Sequence, residues 1–308
     1  MARCSAPGKM ILLGEHAVVF GKPAIALAIN LRISSTVTKA SQYSVNGRPM
    51  QKRHHAYVSA SLDEAWGGPP INVDTVSEIP SGSGLGSSAA VTVSCVAAMM
   101  ATKGKFDPET VARKAFAVEL KVQGRASPTD TSTSTHGQGV IVSPDKLDGF
   151  LWSIESGNNS WNMHHCDVPR LCFVVGYTGI HAATGPLVAG VKSRVESDKD
   201  ARRSIDRIAE VVMDGVDALV KQDKKRLGKL MNEDHELLNG LGVGHPALEE
   251  LVVAARQHSY GAKLTGAGGG GSMIALTDDV RKASEAIRSA GGEPIAVTVG
   301  VEGVKREN

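Results

Sequence analysis

The stretch Pro80-Ser81-Gly82-Ser83-Gly84-Leu85-Gly86-Ser87-Ser88-Ala89 decides how the rest of this chain is read. Pro80 ends the preceding segment, and three alternate glycines lead into Ser87-Ser88. From Ser87 to Thr102 the residues are small and apolar all round, which predicts a buried helix. Glycine lets successive backbone N–H groups converge, and the helix N-terminus adds about half a positive charge. Together they make an anion site suited to phosphate. The two serines stand where a hydroxyl can bind a phosphate oxygen or a magnesium ion. A lone Gly-x-Gly would read instead as a tight turn ended by a capping serine. The length of the motif and the apolar helix behind it favour the anion site. No Lys follows Gly86, so this is not the common P-loop. The spacing is not G-x-G-x-x-G, and no Asp or Glu ends a strand about 20 residues on, which weakens a dinucleotide-binding reading.

Working outward, glycine is 34 of 308 residues, and 12 of those 34 fall in three clusters. One is the motif above. A second is Pro7-Gly8-Lys9, Gly14-Glu15-His16 and Gly21-Lys22-Pro23. The third runs from Gly261 to Gly266-Ala267-Gly268-Gly269-Gly270-Gly271. Glycine is concentrated where backbone must come close to something, rather than spread as general looseness.

Composition sets the outer limits. The length suits two domains at roughly 150 residues each. Hydrophobic residues at 42% and charged residues at 21% are an ordinary globular balance, which excludes disordered and fibrous classes. The net charge of +2 argues for neither a nucleic acid nor a membrane surface as partner. Cys4, Cys95, Cys166 and Cys172 form no CxxC and have no His at zinc-ligand spacing, so they read as reduced thiols of a cytoplasmic protein. The N-terminus lacks the apolar core of a signal peptide. The longest apolar-looking stretch, Ala89 to Ala101, is too short for a span of about 20 residues.

Strands and helices alternate in both halves. Lys9 to Leu13 and Ala24 to Ile29 are apolar runs, and Arg32 to Ala40 alternates as a half-exposed strand would. Asp107-Pro108 predicts a helix start and Gly124 its end. Residues 157–169 read as a connection, followed by a strand from Leu171 to Tyr177. Charges at three- and four-residue spacing predict a long helical region from Thr184 to Leu238, and Pro246 to His258 another helix. A strand–helix–strand tail covers 272–276, 280–290 and 295–301. The class is α/β or α+β, and no repeat of fixed period is present.

The three glycine clusters, in this order and position, resemble those of the GHMP kinases. Pro80 to Ala89 resembles that family's phosphate loop, and Leu264-Thr265-Gly266-Ala267-Gly268-Gly269-Gly270-Gly271 its C-terminal glycine motif beside the nucleotide phosphates. Within the family, Pro7 to Gly21 is similar to the branch that phosphorylates mevalonate. Galactokinases carry Thr-Asp-Tyr after the Glu-His pair, and homoserine kinases lack the pair. The resemblance covers essentially the whole chain. It implies a two-domain fold, with a ribosomal-protein-S5-like domain over 1–160, a ferredoxin-like α+β domain over 161–308, and the active site in the cleft between them.

The resemblance also implies roles. ATP would bind over Pro80, Ser81, Gly82, Ser83, Gly84, Leu85, Gly86, Ser87, Ser88 and Ala89, with Gly268 and Gly269 beside it. Lys9 would stand near the substrate hydroxyl, where an ammonium favours the alkoxide. Glu15 and His16 would face the substrate. Asp130, 11 residues past Glu119, would accept the substrate proton or orient the hydroxyl for in-line attack. Glu119 would bind magnesium together with Ser88 or Ser87. Thr184 would approach the phosphates, or simply start a helix. Many relatives read Pro-Ser-Gly-x-Asp before the catalytic Asp; here Ala126-Ser127-Pro128-Thr129-Asp130 departs from that and is similar to archaeal members. The register is fixed by Gly124 and by Ser134-Thr135-His136-Gly137. Rival readings are a kinase for a phosphorylated acid such as phosphomevalonate, and a non-catalytic nucleotide-binding regulator on the same fold. ATP and mevalonate are the expected partners, with no nucleic acid, no membrane, and a homodimer as in many relatives.

Overall fold

A computed structural model describes residues 1–124, 126–181 and 183–307. Two long strands, β1 (Ala2–Leu13) and β2 (Ala24–Lys39), pair antiparallel and organise the first sheet. The apolar runs predicted at 9–13 and 24–29 lie inside them. A short hairpin of β3 (Ser44–Val45) and β4 (Arg48–Pro49) and the helix α1 (Ala56–Ala65) lead to β5 (Ile71–Ser77). Three helices follow: α2 (Ser87–Thr102), α3 (Pro108–Gln123) and α4 (Thr129–His136). Then come β6 (Gly139–Ser143), β7 (Phe150–Ser156) and β8 (Asn159–Cys166). The order is β4-β3-β5-β2-β6-β8-β7, with β1 lying on β2.

The second sheet opens with β9 (Cys172–Tyr177). Helices α5 (Thr184–Ser197), α6 (Lys199–Val220), α7 (Lys224–Gly240) and α8 (Pro246–Arg256) separate it from β10 (Gly261–Thr265) and β11 (Ser272–Leu276). Helix α9 (Val280–Ser289) and β12 (Glu293–Thr298) complete it. Its order, β10-β11-β9-β12 with every pair antiparallel, is that of a ferredoxin-like β-α-β-β-α-β unit. The last strand, β13 (Lys305–Glu307), returns to pair with β1 in the first sheet. One apolar core runs between the two sheets, joining Leu13, Leu27 and Ile29 to Phe173, Val175, Val211 and Leu227. Among the described residues no helix is long and apolar enough to cross a membrane.

Two expectations change, and a third segment takes a form its composition disfavours. Residues 157–169 are mostly strand β8, whose polar residues disguise it: Asn162 and His164 are buried and hydrogen-bonded to Pro144 O, Ser153 and the Leu147 N–H. The helical region 184–238 is three helices, because Asp198 and Asp223 each cap a new one by accepting from the N–H of Asp200 and of Arg226. The Ser/Thr-rich stretch around Asp130 is helix α4, despite poor intrinsic propensity. Its hydroxyls turn back on the helix, with Thr133 and Thr135 donating to the carbonyls of Thr129 and Thr131.

Candidate active site

The phosphate-loop motif spans the turn from β5 into α2. Gly82, Gly84 and Gly86 all have left-handed backbone, with φ of 76°, 73° and 76°, which glycine adopts without a Cβ penalty. Gly86 takes the N-cap position of α2 and supplies no capping side chain, so the first N–H groups of the helix stay open to an anion. The loop is held on both sides. Lys9 N–H donates to Leu85 O at 3.0 Å, and Ser272 Oγ donates to Ser83 O at 2.6 Å.

Four elements converge beside it. Lys9 leaves β1 at a bulge between Pro7 and Lys9, and its side chain is buried. Its Nζ lies 3.0 Å from Asp130 Oδ2, in the first turn of α4. Ser88 at the start of α2 donates through Oγ to Glu119 Oε1 of α3 at 3.2 Å. Glu119 is only 3% exposed. Its carboxyl is pushed up to about 8, chiefly by burial and then by the Asp130 carboxylate, with Ser88 and Lys9 opposing. The arrangement is an ammonium and a partly open carboxylate next to an anion loop, with a second, buried carboxyl that lacks a cation.

Gly14-Glu15-His16 follows the end of β1. His16 has φ 61° and ψ −39°, and Ala17 N–H donates to Glu15 O at 2.7 Å, so the three residues form a strained γ-turn. His16 Nε2 meets Ala267 O at 2.9 Å. A carbonyl only accepts, so Nε2 carries the proton of the neutral ring. Burial lowers the ring pKa and keeps it neutral. Its Nδ1 is buried with no partner. Glu15 does not share that direction. Its Oε1 is 2.5 Å from Lys263 Nζ, inside the molecule.

The C-terminal glycines sit between β10 and β11, over the same seam. Gly269 N–H is engaged with Val243 O, and Gly271 N–H with Ile180 O. At the other flank Thr265 Oγ1 donates to Ile11 O at 2.9 Å. Thr184 is exposed at the first position of α5, beyond the 177–183 loop, whose Ala182 lies outside the described residues. Sequence reading missed Lys263, Asp234, Thr265 and Ser272. The available signal was a lysine inside the otherwise apolar strand Gly-Ala-Lys-Leu-Thr.

Fold and site together define a small-molecule kinase with a glycine phosphate loop. A profile described as "GHMP kinases N terminal domain" matches residues 54–138, and one described as "GHMP kinases C terminal" matches 216–293. The mevalonate kinase of Thermococcus sibiricus is 36% identical, over 99% of this chain and 98% of its own. That of Methanothermobacter thermautotrophicus is also 36% identical, over 90% and 91%. Among solved structures, L. major mevalonate kinase in complex with R-mevalonate superposes with a TM-score of 0.81 at 26% identity, covering 97% of this chain and 96% of that one. The chain belongs to the GHMP kinases, and within them to the mevalonate kinase family.

Proposed function

We propose that the protein transfers the γ-phosphate of ATP to the 5-hydroxyl of mevalonate, giving 5-phosphomevalonate. The observation that carries the reading is the Lys9–Asp130 pair at 3.0 Å, beside a phosphate loop whose helix N-terminus is open. ATP phosphates would lie over 82–88. Mevalonate would face Lys9, His16 and Asp130, with Thr184 toward the phosphates and Glu15 behind His16. Asp130 would take the hydroxyl proton or hold the hydroxyl in line with the γ-phosphorus, and Lys9 would offset the charge that gathers on the attacking oxygen. The reaction would take place where a unit of about residues 1–160 meets one of 161–308.

The donor set suits magnesium. A buried carboxyl and a hydroxyl are hard oxygen ligands, and Glu119 keeps its proton chiefly because it is buried and next because the Asp130 carboxylate is near. Glu119 with Ser88 would hold the ion, which would shield the phosphate oxygens when bound. Glu119 would then give up its proton, and Lys9 would remain free for the hydroxyl.

The test is ADP release with mevalonate, phosphomevalonate, galactose and homoserine in turn. Turnover of mevalonate alone supports the reading. Turnover of any of the other three without mevalonate overturns it. The resemblance also implies a homodimer, which sedimentation would test.

A further inference from the structure

The first sheet and the second are joined by a cluster of charge that the proposed chemistry does not use. Lys263 on β10 is completely buried, with its Nζ 2.5 Å from Glu15 Oε1, 3.2 Å from Asp234 Oδ2 on α7, and donating to Leu264 O at 2.7 Å. Glu15 is 1% exposed and Asp234 is fully buried. One ammonium facing two carboxylates would leave a negative charge in a dry interior, which is costly. Burial, reinforced by Glu15 and opposed by Lys263, pushes the Asp234 carboxyl up to about 7. With the proton on Asp234, the triad is neutral.

The place of this triad gives it a use. Glu15 and His16 are adjacent, and both are held by one short segment of the second sheet: Glu15 by Lys263, His16 by the carbonyl of Ala267. Between those anchors Thr265 ties the segment to Ile11 of β1. His16 is in a left-handed conformation that a non-glycine residue adopts at a cost, and such strain persists only where the surroundings over-determine it. A side chain fixed at two adjacent positions cannot relax by rotating one peptide.

We propose that Lys263, clamped by Glu15 and Asp234, is a positioning residue that holds the strained Glu15-His16 turn, and so keeps the unpartnered Nδ1 of His16 directed at a hydroxyl of the substrate. A neutral ring with its proton on Nε2 offers Nδ1 only as an acceptor, so it meets a hydroxyl and not a carboxylate. The proposal rests on the mevalonate kinase reading for the identity of that hydroxyl, but not for the geometry.

The experiment uses the full chain in two variants, Glu15→Gln and the double Glu15→Gln/Lys263→Met. The single variant keeps the Lys263–Asp234 pair, and the double removes one charge of each sign, so neither leaves a lone buried charge. Circular-dichroism melts identify the folded variants. Steady-state kinetics and the ring nitrogen NMR signals of His16 are then recorded. The expected result is a KM for mevalonate raised tenfold or more, a KM for ATP and a kcat within threefold, and His16 signals moved toward a mixture of tautomers. A folded variant with wild-type KM and unmoved signals overturns the proposal, because the triad then serves folding alone. A raised KM with unmoved His16 signals also overturns it, because Glu15 would then act on the substrate directly. Failure of the wild-type protein to phosphorylate mevalonate would strike the functional reading. The NMR arm needs no substrate and still decides the role of the triad.

Discussion

A Cβ added at Gly86 would lie 2.8 Å from Cγ and 3.1 Å from Cε of Lys9. The loop proposed to receive phosphate and the lysine that faces Asp130 are therefore packed against each other with no room for a methyl group. Gly86→Ala brings in that clash and a left-handed backbone strain of about 1–2 kcal/mol. Lys9 or the loop must shift by several tenths of an ångström, which disturbs the Lys9–Asp130 pair. The expected outcome is a kcat about 100-fold lower in a protein that still melts cooperatively, since small misplacements of reacting groups cost about that much. A kcat within threefold of wild type would show that the Lys9 position does not matter to the reaction.

Asp130 offers the direct test of the chemistry. Asp130→Ala removes both the acceptor and the partner of Lys9. Loss of a positioned base costs about 10²–10⁴-fold in rate, so kcat should fall by about 10³-fold or more. ATP affinity, measured by fluorescent-nucleotide titration, should change little, because the loop and the α2 N-terminus are untouched. A near-normal kcat would remove Asp130 from its role.

Two buried carboxyls make stability depend on pH in a definite direction. Glu119 and Asp234 hold their protons to about 8 and about 7 in the folded protein, against 4.5 and 3.8 for the free side chains. Across that interval the folded chain binds more protons than the unfolded one, so stability is full below about pH 4 and is lost as pH rises through 7 and 8. In buffer free of magnesium and nucleotide, Tm should fall from pH 6.5 to 8.5. Glu119→Gln and Asp234→Asn should each flatten that fall. A Tm that rises over this range in wild type would contradict both assignments.

The helix that carries Asp130 ends against the returning C-terminal segment. Val304 N–H donates to Thr135 O at 3.0 Å, Gln138 N–H to Val301 O at 2.7 Å, and Arg32 caps the carbonyls of Glu302 and Gly303. A Cβ at Gly303 would meet Thr135 O at 2.2 Å, which the backbone cannot accommodate without separating the two. Gly303→Val should therefore lower Tm by many degrees and reduce kcat at permissive temperature, although position 303 is remote in sequence from Asp130. A wild-type melt would show that this contact does not support α4.

What could be read from sequence was what local chemistry controls. Gly82, Gly84 and Gly86 each meet a positive φ, and Asp107 and Gly124 bound α3 as a cap and a left-handed stop. The alternation at 32–40 becomes the C-terminal part of β2. Helix α4 could not be read, because Thr-Asp-Thr-Ser-Thr-Ser-Thr-His favours turns. It is helical because burial against α2, α3 and β1 and hydroxyl bonds such as Ser134 Oγ to Pro7 O override propensity. The triad was invisible for another reason. Lys263 and Glu15 come from opposite ends of the chain, and nothing near either position names its partner.

Ser272 makes another long-range tie, to the loop proposed to hold the ATP phosphates. Its Oγ is buried and donates to Ser83 O inside the phosphate loop at 2.6 Å. Ser272→Ala removes the donor and leaves a buried carbonyl without a partner, at a cost of about 1–3 kcal/mol. Part of that cost is relieved if the loop opens toward solvent, and an opened loop no longer presents its N–H groups in one direction. KM for ATP should rise about five- to tenfold and KM for mevalonate by clearly less, because Lys9 holds the loop at Leu85 O rather than at Ser83, and Ser272 bonds to none of Lys9, His16 and Asp130. Ser272→Thr keeps the hydroxyl and should recover most of the ATP affinity. If Ser272→Ala raised both KM values equally, the bond would be a general tie between the sheets and not a hold on the phosphate loop.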